Sequence, residues 1–222
     1  MPIARVSYPE LLSVSDHLPT NHSGKKRYFL TASYDGHIRS FDYSQKLINS
    51  TQVHHAPITS FCVVSTPTAS NTDSVLLATS SHDLSAQLTK FTPSSSDSRS
   101  IASLHLHTAP LSSISASHTG THLLTSSWDT LVGVWDTTIP TTNEVPLDDV
   151  DRKKRRKVSD ESEKAVRKAP VSVLKGHTAR VSKVVFGKDE TKVAYSCGFD
   201  STVRMWDVEN GFCTNTIVSA CS

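Results

Sequence analysis

Short stretches in which apolar and polar residues alternate run through the whole chain, and each ends in a turn-forming group. In Ser201-Thr-Val-Arg-Met-Trp206-Asp207, Val203 and Met205 alternate with Thr202 and Arg204, a period of two that predicts a strand with one buried face. Helical spacing of apolar residues appears over no useful length. The stretches recur as a repeat. The last copy contains Leu174-Lys-Gly-His177, then Thr178-Ala-Arg-Val-Ser-Lys-Val-Val-Phe186, Val193-Ala-Tyr-Ser-Cys-Gly-Phe-Asp200 and the stretch ending Trp206-Asp207. An earlier copy has His107-Thr-Ala-Pro-Leu-Ser-Ser-Ile114, Leu123-Leu-Thr-Ser-Ser-Trp-Asp129 and Thr130-Leu-Val-Gly-Val-Trp135-Asp136. A degenerate copy runs from His54 through Leu76-Leu-Ala-Thr-Ser-Ser-His-Asp83 to Phe91. The first in chain order has Ala4-Arg-Val6, Phe29-Leu-Thr-Ala-Ser-Tyr-Asp35 and Gly36-His-Ile-Arg-Ser-Phe41-Asp42.

Each copy predicts three strands, with a tight Asp-containing turn before the third, and a fourth strand leading on. The fourth strands are expected near Leu47–Val53, Ile101–Leu106, Val171–Leu174 and Cys213–Val218. Four antiparallel strands repeated radially make a propeller blade, an arrangement that shelters sheet edges. Gly176-His177 and Trp206-Asp207 resemble the signatures of the WD-repeat family. In that family a His, a Ser or Thr, an Asp and a Trp form a hydrogen-bonded tetrad within each blade. By resemblance the tetrads here are His107, Thr125, Asp129 and Trp135, and His177, Ser196, Asp200 and Trp206. Such a network satisfies buried polar groups that would otherwise cost about 1–3 kcal/mol each. The second copy has Thr89 and Lys90 at the Trp and Asp positions, and the first has Phe41 for Trp and no upstream His. Those two blades are therefore expected to rely on apolar packing more than on the network.

The resulting expectation is an all-β WD-repeat β-propeller: four blades, an open arc of an incomplete seven-bladed propeller, with a closed ring of four as the alternative. The blades are assigned to residues 1–53 (truncated at its N-terminus), 54–106 (degenerate), 107–174 and 175–222, the third carrying a disordered basic insertion over 138–170.

Composition narrows the chemistry. The 222 residues include 23 Lys and Arg against 21 Asp and Glu, for a net charge of +2, which excludes a uniformly basic nucleic-acid coat. No apolar run reaches the roughly 18 residues of a membrane span, and the N-terminus lacks the apolar block of a signal peptide. Cys62, Cys197, Cys213 and Cys221 lack paired spacing and read as reduced thiols. His54, His107 and His177 stand at one repeat position on separate blades, so they do not converge on an ion as ligands must. His54-His55 and His105-x-His107 are weaker metal candidates, read as loop residues. His107, Ser112 and Asp129 have the residue types of a hydrolase, without a nucleophile elbow or oxyanion-hole motif. No Gly-rich phosphate loop is present. The expectation is a non-enzyme with no cofactor and no metal.

The positive charge is local. Arg152, Lys153, Lys154, Arg155, Arg156 and Lys157 form one run flanked by acidic residues, and the rest of the chain is acidic without it. The run resembles the basic clusters read by nuclear-import receptors. Salt-dependent phosphate contact with RNA is a competing reading, and a solvated loop without a partner is a third. The run contains no aromatic residue for base stacking. The loops Ser65–Ser74 and Thr92–Ser100 carry no recognisable chemistry.

The order of Thr125–Asp136, a long loop with a basic cluster, and a His-Thr-Ala-Arg-Val blade is similar to one group of WD-repeat proteins, the WD-repeat subunit of the nucleolar PeBoW complex that works together with pescadillo and a Bop-type propeller protein. The resemblance spans Tyr28 to Ile217. It implies a scaffold in pre-rRNA processing and maturation of the large (60S) ribosomal subunit, located in nucleus, nucleolus and nucleoplasm. The implied partners are a Bop-type propeller protein and pescadillo on the pre-ribosomal particle, with direct RNA contact open. The group also has seven blades and an N-terminal ubiquitin-like domain without counterpart here. The alternative is a WD-repeat substrate receptor or peptide-reading adaptor in nuclear ubiquitination or signalling. Tyr34, His82, Trp128 and Phe199 each precede a turn Asp and are expected on one propeller rim, with Arg5 and Arg180 at matching first-strand positions. Aromatic residues commonly anchor interfaces, which makes this set the candidate partner surface; the competing reading is that these side chains only cover neighbouring hairpins.

Overall fold

The computed structural model describes residues 28–64, 74–96, 98–139, 142, 144, 165–188 and 192–218, and its regular elements are all strands. Strands β1 (Phe29–Ala32), β2 (His37–Phe41) and β3 (Leu47–Gln52) form the first antiparallel sheet. The second contains β4 (Ile58–Val64), β5 (Val75–Ser81), β6 (Ala86–Phe91) and β7 (Arg99–Leu104). The third contains β8 (Leu111–Ala116), β9 (His122–Ser127), β10 (Val132–Asp136) and β12 (Ser172–Leu174), and the fourth β13 (Val181–Phe186), β14 (Val193–Gly198), β15 (Thr202–Asp207) and β16 (Phe212–Val218). Each sheet pairs its strands in chain order, so these are consecutive blades of a WD-repeat β-propeller.

The sheets stack in sequence order through three apolar cores. Leu30, Ala32 and Ile38 of the first sheet meet Ile58, Phe61 and Leu77 of the second. Leu88, Ala102 and Leu104 of the second meet Leu111, Ile114, Leu123 and Trp135 of the third. Leu124, Val132 and Val134 of the third meet Val181, Val184, Ala194 and Trp206 of the fourth. Leu123 and Leu124, adjacent on β9, enter opposite cores because successive side chains of a strand point to opposite faces. A blade buried on both faces therefore carries a continuous buried run, as β9 does.

Two local devices recur. The residue after each turn Asp has a left-handed backbone: Gly36 (φ 79°), Leu84 (φ 68°), Thr130 (φ 75°) and Ser201 (φ 58°). The first strand of the second, third and fourth sheets shifts register between Ile58 and Ser60, Leu111 and Ser113, and Val181 and Lys183. The hydroxyl of the extra residue bonds the neighbouring strand: Thr59 meets the Ser80 hydroxyl at 2.9 Å, Ser112 that of Ser126 at 2.9 Å, and Ser182 donates to the Cys197 carbonyl at 3.0 Å.

The segment assigned by sequence to a disordered insertion over 138–170 is ordered at its base. β11 (Val166–Lys168) pairs in parallel with β7, adding a fifth strand to the second sheet. Lys168 is buried, its ammonium bound to Asp136 and, at 2.6 Å, to the Thr138 carbonyl. The Glu144 amide donates to the Arg167 carbonyl at 2.8 Å, and the Ala169 amide to Glu144 Oε2 at 3.0 Å. A lysine inside a basic segment is a weak sequence signal, because only folding shows that Asp136 awaits it. The basic run Arg152–Lys157 lies outside the described residues, as do Arg5 and Cys221.

Candidate interaction surface

The histidine that opens the second, third and fourth repeats is consumed inside its own sheet. His177 Nδ1 lies 2.8 Å from Asp200 Oδ2, its Nε2 lies 2.7 Å from Ser196 Oγ, and Trp206 Nε1 donates to the same hydroxyl at 2.7 Å. In the third sheet His107 Nδ1 is 3.0 Å from Asp129 Oδ2 and Nε2 is 2.9 Å from Thr125 Oγ1, to which Trp135 Nε1 donates at 2.9 Å. The partners dictate the proton positions: the hydroxyl accepts from indole and donates to Nε2, and Nδ1–H donates to the carboxylate.

The less regular sheets keep more of the network than their sequences predict. His54 Nδ1 is 2.7 Å from Asp83 Oδ2 and its Nε2 is 2.9 Å from Thr79 Oγ1, so the second sheet lacks only the indole. In the first sheet Arg39 donates to Ser33 Oγ at 2.6 Å and pairs with Asp35, putting a cation on the turn carboxylate where other sheets use imidazole. The signal was an Arg four residues after the turn Asp, in the copy without an upstream His.

These contacts set the charge of the turns. Burial pushes the carboxyls of Asp83, Asp129 and Asp200 upward, but imidazole, hydroxyl and amide donors outweigh it and hold all three below the ordinary aspartate value. At Asp35 the hydrogen bond from Arg39 is the largest influence, and that carboxyl too is lowered. Because both ring nitrogens of His54, His107 and His177 have protein partners, these histidines offer no free lone pair to a metal ion. His105, loop-placed as expected, is lowered by its own burial and by Arg167.

Glycine supplies the space the networks need. A Cβ on Gly198 would stand 2.7 Å from His177 Nδ1, and one on Gly133 would stand 2.8 Å from Thr125 Oγ1 and 2.9 Å from Trp135 Nε1. Gly133 also faces Leu106, whereas the matching positions of the fourth sheet are Arg204 and Gly176. The small and large members of the pair are exchanged between the two sheets.

With the polar atoms of the turns engaged inward, the residue before each turn Asp faces outward. Tyr34 is 48% exposed, Trp128 37% and Phe199 74%, and His82 is partly exposed. A repeated backbone bond aligns three of them: the amides of His82, Trp128 and Phe199 donate to Pro57, Pro110 and Arg180 at 3.0, 3.0 and 2.8 Å. The structure brings three side chains into contact. The rings of His82 and Trp128 are 5.5 Å apart, and Arg180 Cζ lies 4.6 Å from the centre of the Trp128 ring. Among the described residues no group of three or more metal-ligating side chains occurs, and no helix is long and apolar enough to cross a membrane.

Residues 98–136 and 168–207 match the family described as WD domain, G-beta repeat. Each matched stretch begins shortly before the fourth strand of one blade, β7 or β12, and ends with the third strand of the next, β10 or β15, one strand out of step with a blade. The chain is 54% identical over 217 residues to a ribosome biogenesis protein YTM1 of Laccaria bicolor, covering 94% of this chain and 46% of that protein. A YTM1 of Coprinopsis cinerea is 52% identical over 219 residues, covering 92% and 46%. A ribosome biogenesis protein WDR12 homolog of Arabidopsis thaliana is 32% identical over 201 residues, covering 88% and 45%. The chain thus spans about half the length of these relatives.

Proposed function

From the premise that this chain belongs to the WD-repeat family and is homologous to the ribosome biogenesis proteins YTM1 and WDR12, we propose that it serves as a non-catalytic scaffold in ribosome biogenesis. The observation that carries this reading is the 54% identity over 94% of the chain. The geometry supports it from a second side: the His, Ser or Thr, Asp and Trp groups that could do chemistry are bound to one another inside the sheets, which leaves a rigid rim as the working surface.

The finer reading is that the protein works in a PeBoW-type complex with a Bop-type propeller protein and pescadillo, in pre-rRNA processing for the large subunit. Its rim, with Tyr34, His82, Trp128, Phe199 and Arg180, makes the protein contacts, and Arg152–Lys157 serves nuclear import. Depletion of the protein followed by pulse-labelling of ribosomal RNA tests the function. Selective loss of newly made large-subunit RNA is expected. Normal and balanced production of both subunits overturns the reading.

A further inference from the structure

Where the third and fourth sheets meet, the rim carries a charge and two aromatic rings that the internal networks leave unused. Arg180 is exposed with its guanidinium over the Trp128 ring, and among the described residues that guanidinium has no ion-pair or hydrogen-bond partner. The bond from the Phe199 amide to the Arg180 carbonyl fixes the backbones of these two residues together, while the Phe199 side chain stands in solvent. The carboxylates of the same turns do not compete for the guanidinium. Asp129 and Asp200 are only 6% and 5% exposed at their side chains and are committed to His107, His177 and the amides of Thr108 and Thr178.

We propose that this corner captures an acidic protein segment, with a carboxylate held by Arg180 and a neighbouring apolar side chain laid against Phe199. The proposal rests on the scaffold reading and names the chemistry of one partner. The guanidinium, with Cζ 4.6 Å from the centre of the Trp128 ring, has no protein partner for its N–H groups among the described residues, and their fork matches the two oxygens of a carboxylate. Because Arg180 is already ordered on the ring, binding loses less side-chain entropy than it would with a free arginine. Exposed aromatic and arginine side chains in one patch are the residue types that dominate protein interfaces. Single-stranded RNA would use the same cation, but it is held by successive bases stacking on several aromatic rings. Trp128 already has Arg180 over its ring and His82 against it, which leaves Phe199 alone for that role.

The test replaces Phe199 with the photocrosslinker p-benzoylphenylalanine in the protein expressed in its own cells, and maps the products by mass spectrometry. The expected product is a protein segment cross-linked within a few residues of an Asp or Glu. Arg180→Gln should lower its yield about tenfold, the loss typical of a strong interface arginine, and Arg180→Lys should lower it less. Melting temperatures equal to that of the unsubstituted protein establish that both variants fold. Cross-links to RNA, cross-links to segments without acidic residues, no cross-link at all, or a yield indifferent to Arg180→Gln each overturn the proposal. Sedimentation of the same lysates separates the two readings. If the protein travels with pre-ribosomal particles and the cross-link ignores Arg180, the corner fails and the scaffold stands; if it is absent from the particles, the scaffold reading fails.

Discussion

A serine or threonine hydroxyl sits at the centre of each complete tetrad, and its removal measures the network. Thr125→Val keeps the shape of the side chain but strips the partner from both Trp135 Nε1 and His107 Nε2. Two buried groups left without partners cost about 1–3 kcal/mol each. Thr79→Val in the second sheet removes the partner of His54 Nε2 and a long 3.4 Å bond to the Gln87 carbonyl but orphans no indole, because Thr89 stands where the indole would be. Urea unfolding should therefore show a loss of stability about twice as large for Thr125→Val as for Thr79→Val; equal losses would mean that the indole bond contributes nothing. The acid end of each network gives a second expectation. The carboxyls of Asp83, Asp129 and Asp200 are depressed in the folded chain, so their contribution to stability is complete above the ordinary aspartate value of about 3.9 and is lost as pH falls through the folded values. Stability should fall steeply below about pH 4, and Asp200→Asn should flatten that part of the profile. A profile unchanged by the substitution would remove Asp200 from the acid response.

The Asp-containing turn of each sheet, between β1 and β2 in the first and between the second and third strands in the others, demands a left-handed residue, and the four sheets meet the demand unequally. A non-glycine residue there carries about 1–2 kcal/mol of backbone strain, and a β-branched one is the poorest choice. Thr130→Gly should relieve part of it and stabilise the chain by about 0.5 kcal/mol after the added entropy of the unfolded glycine is counted. Gly36→Ala should do the reverse and more, since its Cβ would stand 2.0 Å from the His54 carbonyl oxygen. Thermal melting of the two variants, shifted in opposite directions, is the check; shifts of the same sign would refute the strain argument. These turns also show what the sequence could reveal. Strands, turns and the two tetrads ending in Trp135 and Trp206 were legible because identical residue types recur at fixed offsets. Arg39 and the triad of His54, Thr79 and Asp83 were harder to see, because one partner of the pattern is replaced or missing while the geometry persists. β11 was invisible in advance: three residues without a repeat partner become a strand only because Lys168 finds Asp136 across the base of the insertion. Lys168→Met should accordingly speed amide hydrogen exchange in Val166–Lys168 while leaving β8–β10 protected, and unchanged exchange would show that the ion pair does not hold the strap.

Across the whole chain, each sheet relies on its neighbours for burial, as expected when blades share cores instead of owning them. The fourth sheet shows the consequence. Its inner face, with Val181, Val184, Ala194 and Trp206, is packed against the third sheet. On its outer face the cross-strand row Val185, Tyr195 and Met205 lies beside the row Cys197, Val203 and Ile217, and Val185, Tyr195, Val203 and Ile217 are all exposed. Contiguous apolar surface on a sheet drives association with another surface of the same kind. The 222-residue chain should therefore self-associate as its concentration rises, and Tyr195→Lys combined with Val203→Lys should suppress this by placing two charges on the patch. Both positions face solvent, so the substitutions should leave the melting temperature nearly unchanged. Sedimentation velocity over a range of concentrations is the measurement. Association that persists in the double variant would locate the sticky surface elsewhere, whereas its loss would identify the fourth sheet's open face as the place where this stack of blades needs covering.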